Sequence, residues 1–121
     1  MSAEIHSSCK LTASKNAAAI SQSIGFTRDM TGAAMLQTTQ LIGTAGEAIV
    51  FGDITGAPGC VQLRNLDSTN FIEIALDSGV STQKFCKLMP LESAQFQPST
   101  ATLYAKANVA NALMGVLAVE L

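Results

Sequence analysis

The second half of this chain alternates apolar and polar side chains with a period of two, the signature of strands with one face buried. In residues 61–66, Val61 and Leu63 fall on one side, with Gln62 and Arg64 on the other. In residues 71–76, Ile72, Ile74 and Leu76 share a face, opposite Phe71, Glu73 and Ala75. The polar bridge "NLDSTN" predicts a turn closing these two runs into a hairpin, because Asn and Asp side chains mimic turn hydrogen bonds. "QKFCKLM" and "SAQFQP" predict further strands, ended by Pro90 and Pro98, which lack the ladder N–H. "TLYAKA" sets Leu103 and Ala105 against Tyr104 and Lys106. The tail "LMGVLAVEL" puts Leu113, Gly115, Leu117 and Val119 on one face of a last strand. Ile72, Ile74, Leu76 and Leu117 are the expected core, and Phe71, Glu73, Tyr104 and Lys106 the expected outward or interface positions.

The first half is less regular. Strands are expected at residues 5–11, 18–26 and through "AAMLQTTQLIG", with Ile49, Val50 and Phe51 as the core of another. Residues 17–19 and 33–36 also have helix propensity that favours a helical turn, and "YAKANVANALMG" is Ala-rich enough for a helix of about three turns. Against the helix stand the alternation and the β-branched Val109, Val116 and Val119. Glycines and prolines recur too often for long helices. The pattern predicts an all-β fold, a small antiparallel β-sandwich or jelly roll of about eight short strands. It is read as one domain over residues 1–121, with 1–16 as an extended or partly mobile N-terminal segment.

Composition adds a hint of assembly. The chain is 48% hydrophobic but only 13% charged, against roughly a quarter charged in ordinary soluble domains. A neutral Gln/Ser/Thr surface is cheaper to desolvate than a Lys/Glu surface, so it favours burial against neighbours. The net charge is −2, and the seven basic residues are spread along the chain. This argues against direct nucleic-acid binding, which needs convergent cations. No apolar stretch approaches the ~20 residues of a membrane helix. The N-terminal residues do not read as a signal peptide, so the three cysteines are expected as reduced thiols made in a cytoplasm.

Candidate chemistry is thin. His6 and Cys9 in "HSSC" offer two metal ligands where zinc needs three or four, and no metal or cofactor is expected. The carboxylates Asp53, Asp67, Glu73 and Asp77 lie close in sequence, but turn formation explains Asp67 and Asp77. "GTAGEA" lacks the Gly-Lys-Ser/Thr ending of a phosphate loop. Cys86 stands between Lys84 and Lys87, and alternation places it on Lys84's side, where a cation could lower its pKa. A single histidine leaves little room for a triad. No enzyme is expected.

The segments "LIGTAGEAIVFGDI", "GCVQLRNLDSTNFIEIALD", "FCKLMPLESAQFQP", "LYAKAN" and "LMGVLAVEL" together resemble small structural proteins of tailed-bacteriophage virions. That resemblance implies a non-enzymatic β-sandwich that self-associates, as a trimer or another oligomer, and binds the major capsid protein or another virion protein. It implies a head decoration or cement protein that bridges capsid subunits, made in the host cytoplasm and located in the virion. A tail, connector or fibre-anchoring component is the alternative, and a carbohydrate-binding sandwich module a further one. It transfers no catalytic residues.

Overall fold

The computed structural model describes residues 4–120. The chain divides into two compact units between Gly32 and Ala33.

The first unit is a two-stranded antiparallel ribbon of β1 (Ile5–Lys15) and β2 (Ala18–Arg28). Asn16 turns the chain between them at φ 56°, a left-handed conformation that Asn tolerates. The alanines at 18 and 19, which also favoured a helical turn, lie in β2 instead.

The second unit holds eight strands: β3 (Met35–Ile42), β4 (Glu47–Ala48), β5 (Cys60–Asn65), β6 (Ile72–Ala75), β7 (Lys84–Leu88), β8 (Ser93–Phe96), β9 (Tyr104–Ala107) and β10 (Ala112–Val119). They form two four-stranded sheets, β3-β10-β5-β8 and β4-β9-β6-β7. The pairs β3/β10, β4/β9, β5/β8 and β6/β7 are antiparallel and nested, first strand with last, second with next to last. This rolled-up order is that of a jelly roll. The all-β antiparallel sandwich expected from the alternation is therefore present, with ten strands among the described residues. "YAKANVANALMG" forms β9 and the start of β10, not a helix.

One core fills the space between the two sheets. Ile42, Leu63, Met114 and Val116 face it from the first sheet, and Ile72, Ile74, Leu88, Leu103 and Ala105 from the second. Two expected core residues are not in it. Leu76 lies just past the end of β6 and is half exposed. Leu117 points outward with Leu113 and Val119, because β10 buries Ala112, Met114, Val116 and Ala118. Both faces of β10 are apolar, so its own alternation is ambiguous. Pairing decides it: Val116 stands opposite Leu63, and Ala118 opposite Val61.

Residues 61–66 and 71–76 do not form the expected hairpin. β5 and β6 belong to different sheets, so "NLDSTN" carries the chain across the sandwich. The segment around Ile49 is also not a regular strand beyond Ala48. Ile49 and Phe51 are buried as expected, but Val50 is exposed. The Val50 amide donates to Gln40 Oε1 at 2.9 Å, and Gln40 Nε2 donates to the Ala48 carbonyl at 2.9 Å. A side chain from β3 thus stands in for a strand partner.

The turn at Gly46 depends on glycine. Its φ is +90°, and a Cβ there would lie 2.7 Å from the Ser78 carbonyl oxygen.

Candidate functional site

Four places were singled out by the sequence or stand out in the structure: the polar crossing, the outer face of each sheet, and an apolar cleft.

The crossing is built from one buried amide. Asn65 is fully buried, and its Nδ2 donates to the carbonyls of Asn70 at 2.7 Å and Leu88 at 3.0 Å. Its Oδ1 accepts from the Asp67 amide at 2.9 Å. Asp67 Oδ2 in turn accepts from the amides of Thr69 and Asn70 at 2.9 and 2.6 Å. These amides hold the Asp67 carboxyl below its ordinary range. Asp77 organises the next turn in the same way, accepting from the amides of Ser81 and Gln83 at 3.0 and 2.9 Å. The Ser81 amide is the largest cause that pulls its pKa down to about 2. Both carboxylates are committed to backbone donors, and neither is set up as a base near neutral pH.

The outer face of β4-β9-β6-β7 brings together the four residues expected at an interface. Glu73 stands opposite Lys106 on one side and Lys87 on the other. Lys84 Nζ lies 3.5 Å from Glu73 Oε2, and Lys87 Nζ sits 4.1 Å from the centre of the Phe71 ring. Tyr104 pairs with Ala75 on the same side. Phe71, Glu73, Tyr104 and Lys106 are each partly exposed. Three of the seven basic residues, scattered in sequence, therefore surround one carboxylate. Ala75, on the outer side, is nevertheless fully buried, because it is flanked by the longer Tyr104 and Lys84.

Cys86 is not on the side of Lys84. The register of β6 and β7 shifts between Ile74 and Ala75, so that Cys86 pairs with inward-facing Ile74 while Lys84 pairs with Ala75. This bulge inserts Phe85 and reverses the facing expected from simple alternation. Partial burial raises the Cys86 pKa, opposite to the lowering expected from a neighbouring lysine.

His6 and Cys9 stand three residues apart on β1, and so on opposite faces of the ribbon. Among the described residues, no three His, Cys, Asp or Glu side chains come together as metal ligands. "GTAGEA" ends in the two-residue strand β4, with no helix after it to cradle a phosphate.

The outer face of β3-β10-β5-β8 is different in kind. Register places Met35, Gln37, Thr39 and Leu41 of β3 beside Val119, Leu117, Gly115 and Leu113 of β10. Cys60, Gln62 and Arg64 of β5 continue it, and Gln95 and Ser93 of β8 complete it. Met35, Leu41 and Leu113 are 70%, 57% and 41% exposed. Arg64 is the single charged side chain among these positions. Alternation alone conceals this face, because β10 is apolar on both sides and Leu117 reads as core. Its signal was the low charge of 35–42 and 113–119 together.

The cleft, of about 460 Å³, lies where the edge strands β7 and β8 approach, lined by Leu76, Phe85, Phe96, Pro98 and Leu103. Phe85 and Phe96 meet edge to face with centroids 5.8 Å apart. Its polar lining is Gln97, Ser99 and Thr100, so among the described residues no titratable side chain lines it.

No family model matches the chain, and neither a curated protein nor a solved structure matches it.

Proposed function

We propose that this chain is a structural building block of a virion, of the head decoration type, that docks on major capsid protein through the outer face of β3-β10-β5-β8. The observation that carries the reading is that face: four strands wide, apolar and amide-rich, with Arg64 as its one charge. Desolvating such a surface costs little, and neutral Gln side chains supply directional hydrogen bonds at a rim. Gln62 Nε2 already donates to Gln95 Oε1 at 3.0 Å, an ordered amide row facing outward.

The resemblance read from the sequence supplies the virion. Jelly rolls are frequent in capsid proteins but host other functions too, so the fold lends support without choosing the role. The mechanism is mechanical. Each copy presents the same low-charge face across a seam, and a repeating lattice multiplies modest contacts.

The test is binding of labelled protein to purified particles, read by sedimentation and imaging. Saturable decoration of heads, lost in Leu113→Asp and retained in Asp53→Asn, supports the reading. Labelling restricted to tails selects the tail or connector alternative. Absence of binding to either overturns the virion role.

A further inference from the structure

The two open sides of the sandwich are finished differently. Where β3 and β4 end their sheets, the Gln40 side chain bonds the backbone of Ala48 and Val50, on either side of buried Ile49. Where β7 and β8 end theirs, the strands meet through the rings of Phe85 and Phe96, and the cleft of about 460 Å³ opens beside them. Its floor is Leu103, 1% exposed and part of the core, while Leu76 and Phe85 at its mouth are 49% and 50% exposed. Strict alternation would put Phe85 on the outer face with Lys87. The bulge in β7 carries it instead to the sheet edge, where it lines the cleft.

The chemistry of the walls selects the occupant. The volume lies within the roughly 300–1,000 Å³ of small-molecule sites, which are apolar and aromatic with a few polar groups. Both charged neighbours are engaged elsewhere. Lys84, beside Phe85 in the chain, pairs with Glu73 on the outer face, and Asp77, beside Leu76, is committed to the amides of Ser81 and Gln83. A charged guest would therefore lose its water and gain no counter-ion. At the rim, the Ser99 hydroxyl has no hydrogen-bond partner among the described residues and is able to bond a neutral polar substituent. The edge-to-face pair of Phe85 and Phe96 forms a corner that accepts a third ring in the same geometry. An extended peptide fits less well. β7 is short, bulged and carries Lys84 and Lys87, features that block strand addition, and β8 stops two residues before Pro98.

We propose that this cleft is a binding site for a small, uncharged aromatic molecule. Its ring sits against the Phe85–Phe96 corner above Leu103, and any polar substituent meets the neutral rim of Gln97, Ser99 and Thr100. The inference goes beyond the virion reading and does not rest on it. The site lies between the edges of the two sheets, away from the strands β3 and β10 that form the low-charge face.

The experiment titrates the full chain with benzyl alcohol and follows its backbone amide signals by nuclear magnetic resonance. Saturable shifts are expected at Leu76, Phe85, Gln97 and Thr100. Benzoate and benzylammonium present the same ring with a charge, and each is expected to bind at least about tenfold more weakly. Phe85→Ala and Leu76→Ser alter half-exposed side chains, so both variants are expected to keep the amide protection of β5 and β10. Phe85→Ala is expected to weaken benzyl alcohol about tenfold, and Val109→Ala, in the loop after β9, to leave it unchanged. The charge series uses the unmutated chain, so it decides the matter even if a variant fails to fold. Shifts that never saturate would overturn the proposal. So would a response centred on the exposed Leu11, Ile20 and Ile24 of the ribbon, charged analogues that bind as tightly as the alcohol, or a folded Phe85→Ala protein of undiminished affinity. Saturable binding in a chain that decorates no particle sinks the virion reading and leaves the cleft standing.

Discussion

Asn65, the last residue of β5, donates its side-chain amide to the carbonyl of Leu88 at the end of β7, 3.0 Å away and out of contact with solvent. The bond ties one sheet to the other at the point where the chain crosses between them. A buried amide with both donors and its acceptor engaged specifies one arrangement of the surrounding backbone, because every alternative leaves a polar group unpaired.

Replacing Asn65 with Ala or Leu orphans the carbonyls of Asn70 and Leu88 and the amide of Asp67. The expected loss is about 2–4 kcal/mol, read as a lower midpoint in urea denaturation. An unchanged midpoint would show the bridge to be ornamental.

Ile74→Asp is expected to abolish folding, because Ile74 is fully buried in the core between the sheets. A folded, soluble Ile74→Asp protein, judged by near-ultraviolet circular dichroism, would mean that β6 presents its other face inward. Leu117→Asp is expected to leave the fold intact, since Leu117 points outward on β10.

Acid weakens the turn at 77–83. The folded pKa of Asp77, about 2, lies below its ordinary 3.8, so its contribution is fully present above pH ~4 and is lost as pH falls toward 2. Asp67, also lowered, acts in the same direction. Asp77→Asn should flatten the fall in melting temperature between pH 4 and 2. Hydrogen exchange at the Ser81 and Gln83 amides should rise over that window in the unmutated chain. A profile identical in the two proteins would remove Asp77 as its source.

Gly46→Ala is expected to cost about 1–3 kcal/mol, from a strained positive φ and a 2.7 Å approach to the Ser78 carbonyl. Gly56, with φ +68° but nothing within 4 Å of a built Cβ, should cost less. Comparing the two variants in thermal melts separates the close approach from the backbone conformation.

Much of this architecture was legible along the chain. Alternation located β5, β6, β9 and β10 because each side chain of a strand feels a face on its own, whatever its partner. Pro90 and Pro98 set the limits of β7 and β8 by chemistry internal to one residue. The turn roles of Asp67 and Asp77 were equally local, since their acceptors reach only a few residues ahead. The four outward positions Phe71, Glu73, Tyr104 and Lys106 followed from the same periodicity.

Local pattern thus dictates the strands, the turns and, where one face is plainly polar, which side points out. Pairing was left to the tertiary structure, because a period of two names a face and never a partner. Only the rolled topology placed β5 and β6 in separate sheets and made "NLDSTN" a crossing held by Asn65. Only register with Val61 and Leu63 chose between the two apolar faces of β10, turning Leu117 outward. A bulge at Phe85, invisible to alternation, parted Cys86 from Lys84. The gathering of Lys84, Lys87 and Lys106 around Glu73 arises across three paired strands, so contacts distant in sequence decided it.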